Sequence, residues 1–412
     1  MSKLGSENLG PVRAFARLAV LVSLSLALAA CGDDDAISPA DAASPADLGV
    51  DAGGFDAGPP VEPLRDYGVA GQYVVGNRRI TMDDGSGTRA LPVELWYPAD
   101  ESARAAATAG QPMTAFETGS PHETRLAELV AASDPACLRV DTASAAAAAA
   151  ATSAAPWPVV VFSHCHTCTR FDVAEIAERL ASHGIVVAAP DHEGNTLWDF
   201  EAGTSADVGN VFLAVRVSDV RRVLDRLLDA TATEIPDDLR GHLDASRAAV
   251  MGHSFGAVTT GAVVSADPRF IAALAIAAPI SLLGGTRPSS ISTPYLFILA
   301  REDSSITEAG NGFIRNDYRR LAGPAWLIEV EDAGHFSFSD IAGIGGDLFL
   351  SGCGMGMRQA APHDAFAFVD TAQGRDLAAD AAAGFFAIYL LGDPGGATFL
   401  SRLDVPAHVS RR

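Results

Sequence analysis

Apolar residues in this chain fall into two rhythms that alternate from about residue 67 to residue 392. Residues 158–162, 185–189, 247–251, 271–277, 294–300 and 325–331 are short, nearly continuous apolar runs, the pattern of strands buried on both faces. Between them apolar positions recur at helical spacing. Val173, Ile176, Ala177 and Leu180 form one such face, with Asp172 placed to cap its start and Gly184 to stop it. Val217, Val220, Val223, Leu224 and Leu227 form the inner face of a longer helix over 211–228, and 376–391 reads as a closing helix. Upstream, 72–82 and 90–97 read as two strands joined by a turn through Asp83, Asp84 and Gly85. Strands alternating with helices predict an α/β fold, a mostly parallel sheet with helices on both faces.

Two stretches break the rhythm. Residues 101–155 are alanine-rich, with seven consecutive alanines at 145–151, and read as a surface insertion at about 100–155 with one helix over 122–133. Residues 32–63 are dominated by Asp, Ala, Gly, Pro and Ser, a composition that cannot bury enough surface to fold. Ahead of them, Lys3, Arg13 and Arg17 precede an apolar run over 18–30, the layout of an export signal rather than a membrane span. Leu28-Ala29-Ala30-Cys31 resembles the lipobox of bacterial lipoproteins, which implies cleavage before Cys31 and acylation of its sulfur. The expected organisation is therefore a signal peptide at 1–30, an acidic tether at 31–66, and a catalytic domain at 67–412. The mature protein is expected to be exported and held at a membrane surface by its lipid.

Charge and composition narrow the chemistry. A formal net charge of −22 argues against nucleic-acid partners. Lys3 is the only lysine, so lysine-based covalent chemistry leaves with the signal peptide. Once Cys31 is acylated, Cys137, Cys165, Cys168 and Cys353 remain, an even number that in an exported chain points to disulfides with three possible pairings. The cluster His164-Cys165-His166-Thr167-Cys168 invites a metal reading. On an extended loop its ligands would point to alternate sides, and no second cluster completes the set. Neither metal nor cofactor is expected.

Gly252-His253-Ser254-Phe255-Gly256 carries the most chemical information. It follows an apolar strand and opens a small-residue helix, the context of a nucleophile elbow. Such a turn lifts Ser254 clear of the sheet and aims a helix N-terminus at negative charge developing beside it. A serine nucleophile needs a base, an acid that orients the base, and N–H donors for the oxyanion. His335, in Asp332-Ala333-Gly334-His335-Phe336 just after a strand, is the expected base, because His363 and His408 read as surface residues. Asp303, directly after the strand over 294–300, is the expected acid. Glu302 points the other way, Asp267 reads as a cap, and Asp332 is too close to His335 in sequence to reach its ring. The expected oxyanion donors are the backbone N–H groups of Phe255 and His166.

Several stretches together carry a family resemblance: Val93-Glu94-Leu95-Trp96-Tyr97-Pro98-Ala99, Val161-Phe162-Ser163-His164, Ala189-Pro190-Asp191-His192, the elbow, and Gly334-His335-Phe336-Ser337-Phe338. The chain resembles the α/β-hydrolases of the branch that holds dienelactone-hydrolase-like proteins and plasma-type platelet-activating-factor acetylhydrolases. That resemblance implies a serine esterase acting on a small, lipid-like or polymeric ester; apart from its membrane anchor the protein is expected to be a monomer. Two departures stand out. Cys165 occupies the place of the family's glycine in the oxyanion loop, and no carboxylate follows the strand directly after the nucleophile helix, so Asp303 fills the dienelactone-type position one strand later. A lactone or dienelactone hydrolase, or a lipoprotein that binds a ligand on this fold without turnover, are the alternative readings.

Overall fold

The computed structural model describes residues 65–87, 89–403 and 407–412. The expected signal peptide, Cys31 and nearly all of the expected tether lie outside the described residues. What is described belongs to one compact unit, Glu62–Arg412.

Ten strands form one sheet: β1 (Val74–Asp83), β2 (Ala90–Ala99), β3 (Ala145–Ala146), β4 (Trp157–Ser163), β5 (Val186–Pro190), β6 (Leu243–His253), β7 (Phe270–Ile276), β8 (Tyr295–Ala300), β9 (Ala325–Val330) and β10 (Ala407–Arg411). Their spatial order is β10-β9-β8-β7-β6-β4-β5-β2-β1-β3. From β5 to β9 every pairing is parallel, while β2 and β10 join antiparallel at the two sides. Among the described residues, six helices of eight or more residues surround the sheet: α1 (Glu123–Ala132), α2 (Ala174–Ser182), α3 (Asn210–Leu228), α4 (Phe255–Ala266), α5 (Thr307–Arg320) and α6 (Thr371–Phe386).

The unbroken apolar runs are explained by burial on both sides. Val160 and Phe162 of β4, with Met251, Leu274 and Ile298, pack into the core that holds α2 and α6. Their neighbours Val159 and Val161, with Val250, Ala273 and Phe297, face the core that holds α3 and α4. Strand alternation thus feeds two hydrophobic layers at once.

Register sets the height of the functional loops. Ser163 is level with Gly252, His253 with Ile276, and Ala300 with Val330. The loops that leave β4, β6, β8 and β9 therefore emerge together at the carboxyl edge of the parallel sheet.

Two local expectations are corrected. Asp172 does not cap α2. Val173 holds the cap position without a side-chain bond, and Asp340 Oδ2 accepts from the Glu175 N–H instead, at 3.0 Å. The closing helix begins earlier than the apolar pattern indicates, because the Asp370 carboxylate accepts from the N–H groups of Ala372 and Gln373 and starts α6 at Thr371. The chain ends in β10, an edge strand paired with β9, on which His408 is exposed as expected.

The alanine-rich stretch is ordered. Phe116 stacks on Phe171 with ring centroids 4.8 Å apart, and Leu126 and Leu129 of α1 are buried. Arg170, 1% exposed, ties the stretch to the sheet by pairing with Glu117 at 2.6 Å, Asp191 at 2.8 Å and Glu94 at 3.0 Å.

Candidate active site

Ser254 stands between β6 and α4 with φ 55° and ψ −116°, a region that L-residues rarely occupy. Its N–H donates to the Ile276 carbonyl at 2.8 Å, which holds the turn against the neighbouring strand. Both glycines of the elbow are required by space. A Cβ on Gly256 would sit 1.8 Å from the Ser163 carbonyl oxygen, and one on Gly252 would sit 2.3 Å from the Gly256 backbone. The start of α4 is thereby pressed onto the loop that follows β4.

The structure brings the three expected catalytic side chains together. The Ser254 hydroxyl donates to His335 Nε2 at 2.8 Å, and His335 Nδ1–H donates to Asp303 Oδ2 at 2.6 Å. Asp303 is fully buried and His335 nearly so. The other Asp303 oxygen accepts from the N–H groups of Ser305 and Ile306 at 2.8 and 3.1 Å. Both lone-pair faces of this carboxylate are committed, so it holds one orientation toward the imidazole. The rejected carboxylates lie elsewhere: Glu302 and Asp332 pair with Arg358, and Asp267 with Arg269 and Arg221. His363 and His408 are exposed.

The loop after β4 runs beside the elbow. Cys165 is joined to Cys168, and Cys137 to Cys353, so one of the three possible pairings is selected. The first disulfide encloses His166 and Thr167, and Thr167 has φ 58°. The Phe255 N–H opens α4 and the His166 N–H lies inside the disulfide loop, with neither engaged in a hydrogen bond among the described residues. The His166 ring meets Phe255 edge-on at 6.5 Å, and its Nδ1 accepts from Asn195 Nδ2 at 2.7 Å. Beyond His335, Phe336 packs edge-on at 4.9 Å and Phe349 lies 4.8 Å further on, an aromatic wall beside the histidine.

Two buried networks behind these groups carry no pattern in the sequence, because their members come from distant segments. In the first, His253 Nδ1–H donates to Asp172 Oδ2 and Nε2–H donates to the His335 carbonyl, both at 2.9 Å. Burial opposes charge on this imidazole, but the Asp172 carboxylate, the His335 carbonyl and Asp303 outweigh it and raise its pKa. Cys165 Sγ also lies near Asp172 and His253, with its sulfur committed to Cys168. In the second, Ser163 donates to His192 Nε2 and His192 Nδ1–H donates to Asp219 Oδ2, again both at 2.9 Å. All three are buried. Burial holds His192 well below the ordinary imidazole range, and burial raises Asp219 to about 6.

A parallel sheet with a strained serine at the strand–helix turn, a histidine on it and a buried aspartate behind defines an α/β-hydrolase. Residues 65–199 and 211–358 match the family model described as platelet-activating factor acetylhydrolase, isoform II, and the chain belongs to that family. The match runs through the alanine-rich stretch, which the motif-level resemblance leaves uncovered.

Among curated proteins, the platelet-activating factor acetylhydrolase of Bos taurus is 26% identical over 235 residues, 48% of this chain and 52% of the relative. That of Cavia porcellus is 26% identical over 216 residues, 45% and 48% of the two chains. Cutinase est2 of Thermobifida alba is 31% identical over 182 residues, 43% and 52% of the two. The chain spans about half the length of the curated relatives it matches. A ferulic acid esterase from Streptomyces cinnamoneus superposes with a TM-score of 0.59 at 25% identity, covering 83% of this chain and 97% of its own.

Proposed function

We propose that this protein hydrolyses carboxylic esters through an acyl-enzyme on Ser254. The observation that carries the reading is the continuous hydrogen-bonded chain from Ser254 through His335 to Asp303. His335 takes the hydroxyl proton as Ser254 attacks the ester carbonyl. Asp303 stabilises the imidazolium, and the N–H groups of Phe255 and His166 receive the oxyanion. Collapse of the tetrahedral adduct expels the alcohol with the proton returned by His335. Water then attacks the acyl-enzyme with His335 again as base.

The relatives are named as a platelet-activating factor acetylhydrolase, a cutinase and a ferulic acid esterase, which supports a small, lipid-like or polyester-type ester as the substrate class. The aromatic wall of Phe336 and Phe349 beside His335 supports an apolar group next to the scissile bond. Cleavage of a short p-nitrophenyl ester, lost in Ser254→Ala, tests the reaction, and a series of acyl-chain lengths defines the substrate. Equal rates in wild type and Ser254→Ala would overturn it.

We further propose that the protein is exported and lipid-anchored through Cys31, with residues 31–66 as the tether. Cys31→Ala should move it from the membrane fraction to the soluble fraction with its esterase activity intact. Unchanged fractionation would remove the anchor.

A further inference from the structure

Arg216, on α3, is fully buried, and every oxygen it binds is uncharged. Nη1 donates to the His164 carbonyl at 2.6 Å and to Ser163 Oγ at 3.2 Å. Nη2 donates to Asn195 Oδ1 at 2.6 Å and to the Cys165 carbonyl at 3.1 Å. Its guanidinium also lies 4.5 Å from the centre of the Phe255 ring. One side chain thus touches both segments that carry the proposed oxyanion donors.

The Cys165 carbonyl is the decisive contact, because it belongs to the same peptide unit as the His166 N–H. That carbonyl accepts from Arg216, from His164 Nδ1–H at 2.7 Å and from the Cys168 N–H at 3.3 Å. His164 is committed to this tautomer, since its Nε2 accepts from the His192 N–H at 3.0 Å. In a trans peptide the N–H points opposite to the C=O, and no peptide among the described residues is cis. Holding the carbonyl toward α3 therefore turns the His166 N–H away from Arg216. A carbonyl that accepts three hydrogen bonds also polarises its own N–H, making it a stronger donor.

We propose that Arg216 is the positioning residue of the oxyanion site: together with His164 it fixes the Cys165–His166 peptide so that the His166 N–H faces the oxygen that becomes charged when Ser254 attacks. The Ser163–His192–Asp219 chain has a place in this scheme. Ser163 gives its proton to His192, which leaves its oxygen free to accept from Arg216. Burial lowers the Arg216 pKa to about 9, so the side chain remains a cation at neutral pH behind the site where negative charge develops. The proposal rests on the serine-hydrolase reading.

The test uses the full-length protein, a short p-nitrophenyl ester, and a trifluoromethyl ketone that forms a charged tetrahedral adduct on serine. Arg216→Met is expected to lower kcat about a hundredfold, the scale of a lost oxyanion donor, with KM changed less than about threefold. Affinity for the ketone should fall by the same factor as kcat, and Arg216→Lys should recover part of both. A merely structural role would not link kcat to the affinity of the charged adduct. Arg216→Met that is folded and keeps kcat and ketone affinity within about threefold of wild type overturns the proposal.

If Arg216→Met does not fold, His164→Phe removes the other side-chain donor to the same carbonyl and is read in the same way. A measurement on the wild type stands independently: with arginine labelled with nitrogen-15, ketone binding should shift the Arg216 Nη signals, and unchanged signals in the adduct would also overturn it. Absence of any Ser254-dependent turnover in the wild type would instead refute the hydrolase reading.

Discussion

His253 Nε2 donates to the backbone carbonyl of His335 at 2.9 Å, so the residue that precedes Ser254 in the chain grips the backbone of the histidine that meets Ser254 in space. The other ring nitrogen is held by Asp172, whose second oxygen accepts from Ser339. Both nitrogens face acceptors, which favours the imidazolium.

His253→Gln should lower kcat about ten- to hundredfold by loosening the His335 loop, given how steeply rate depends on placement. The same variant tests linkage. The folded-state pKa of His253 is raised above its ordinary 6.5. Its stabilising contribution is therefore fully present below about pH 6.5 and is lost as pH rises through the raised value. Melting temperatures of wild type and His253→Gln should lie furthest apart in acid and converge in alkali.

Asp303→Asn should leave the fold in place, since the amide oxygen can still accept from Ser305 and Ile306. The rate should fall by about 10⁴ if the imidazole loses its tautomer and its counter-charge. Glu302→Gln, which alters only the pairing with Arg358 and the Gln359 N–H, should be nearly silent. Steady-state kinetics on the two variants decide the matter. Retained activity in the first and lost activity in the second would move the acid to Glu302.

The two disulfides should separate stability from turnover. Cys137–Cys353 closes a span of 216 residues, and replacing both cysteines with serine should cost about 2–5 kcal/mol in denaturant unfolding. Cys165–Cys168 closes a span of three, too short to restrain the unfolded chain greatly. Its double serine variant should keep most of the stability while kcat falls, because His166 sits inside that loop. Thiol counting on the denatured, unreduced wild type should find no free thiols among these four.

Arg170→Met should destabilise by about 3–5 kcal/mol, because it leaves Glu94 and Asp191 buried without their cation and Glu117 with only Arg79, at 3.5 Å. Chemical denaturation measures this directly. A change below about 1 kcal/mol would mean that the three carboxylates take up protons and relax without it.

The sheet was legible because two-sided burial leaves a plain mark on a sequence: an unbroken apolar run such as Val159–Val160–Val161. The elbow was legible because strained turns need particular small residues. Asp303 and His335 could be selected by their places after strands. The alanine run at 145–151 was opaque for the converse reason. Its order comes from backbone bonds, Ala147 N–H to Asn77, Ala151 N–H to Pro98 and the Asp100 N–H to Ala149, and alanine side chains carry no trace of them. The Asp172 cap was misread because a carboxylate suited to an N-terminus is claimed by His253 and Ser339 from elsewhere in the chain. Arg216 was hidden in an amphipathic helix among Arg221, Arg222 and Arg226, where one more arginine looks like solvated surface.

The Ser163–His192–Asp219 chain repeats the donor order of Ser254–His335–Asp303 within the same molecule. Geometry alone would therefore nominate two nucleophiles. Ser163 is sealed from solvent, and its oxygen already receives the proton of a guanidinium, so no substrate can reach it and its lone pair is occupied. Ser254 differs by what it lacks: it is partly exposed, and its oxygen accepts no hydrogen bond among the described residues. A fluorophosphonate should consequently modify this protein once, at Ser254, and leave its buried counterpart untouched even after prolonged exposure of the folded chain.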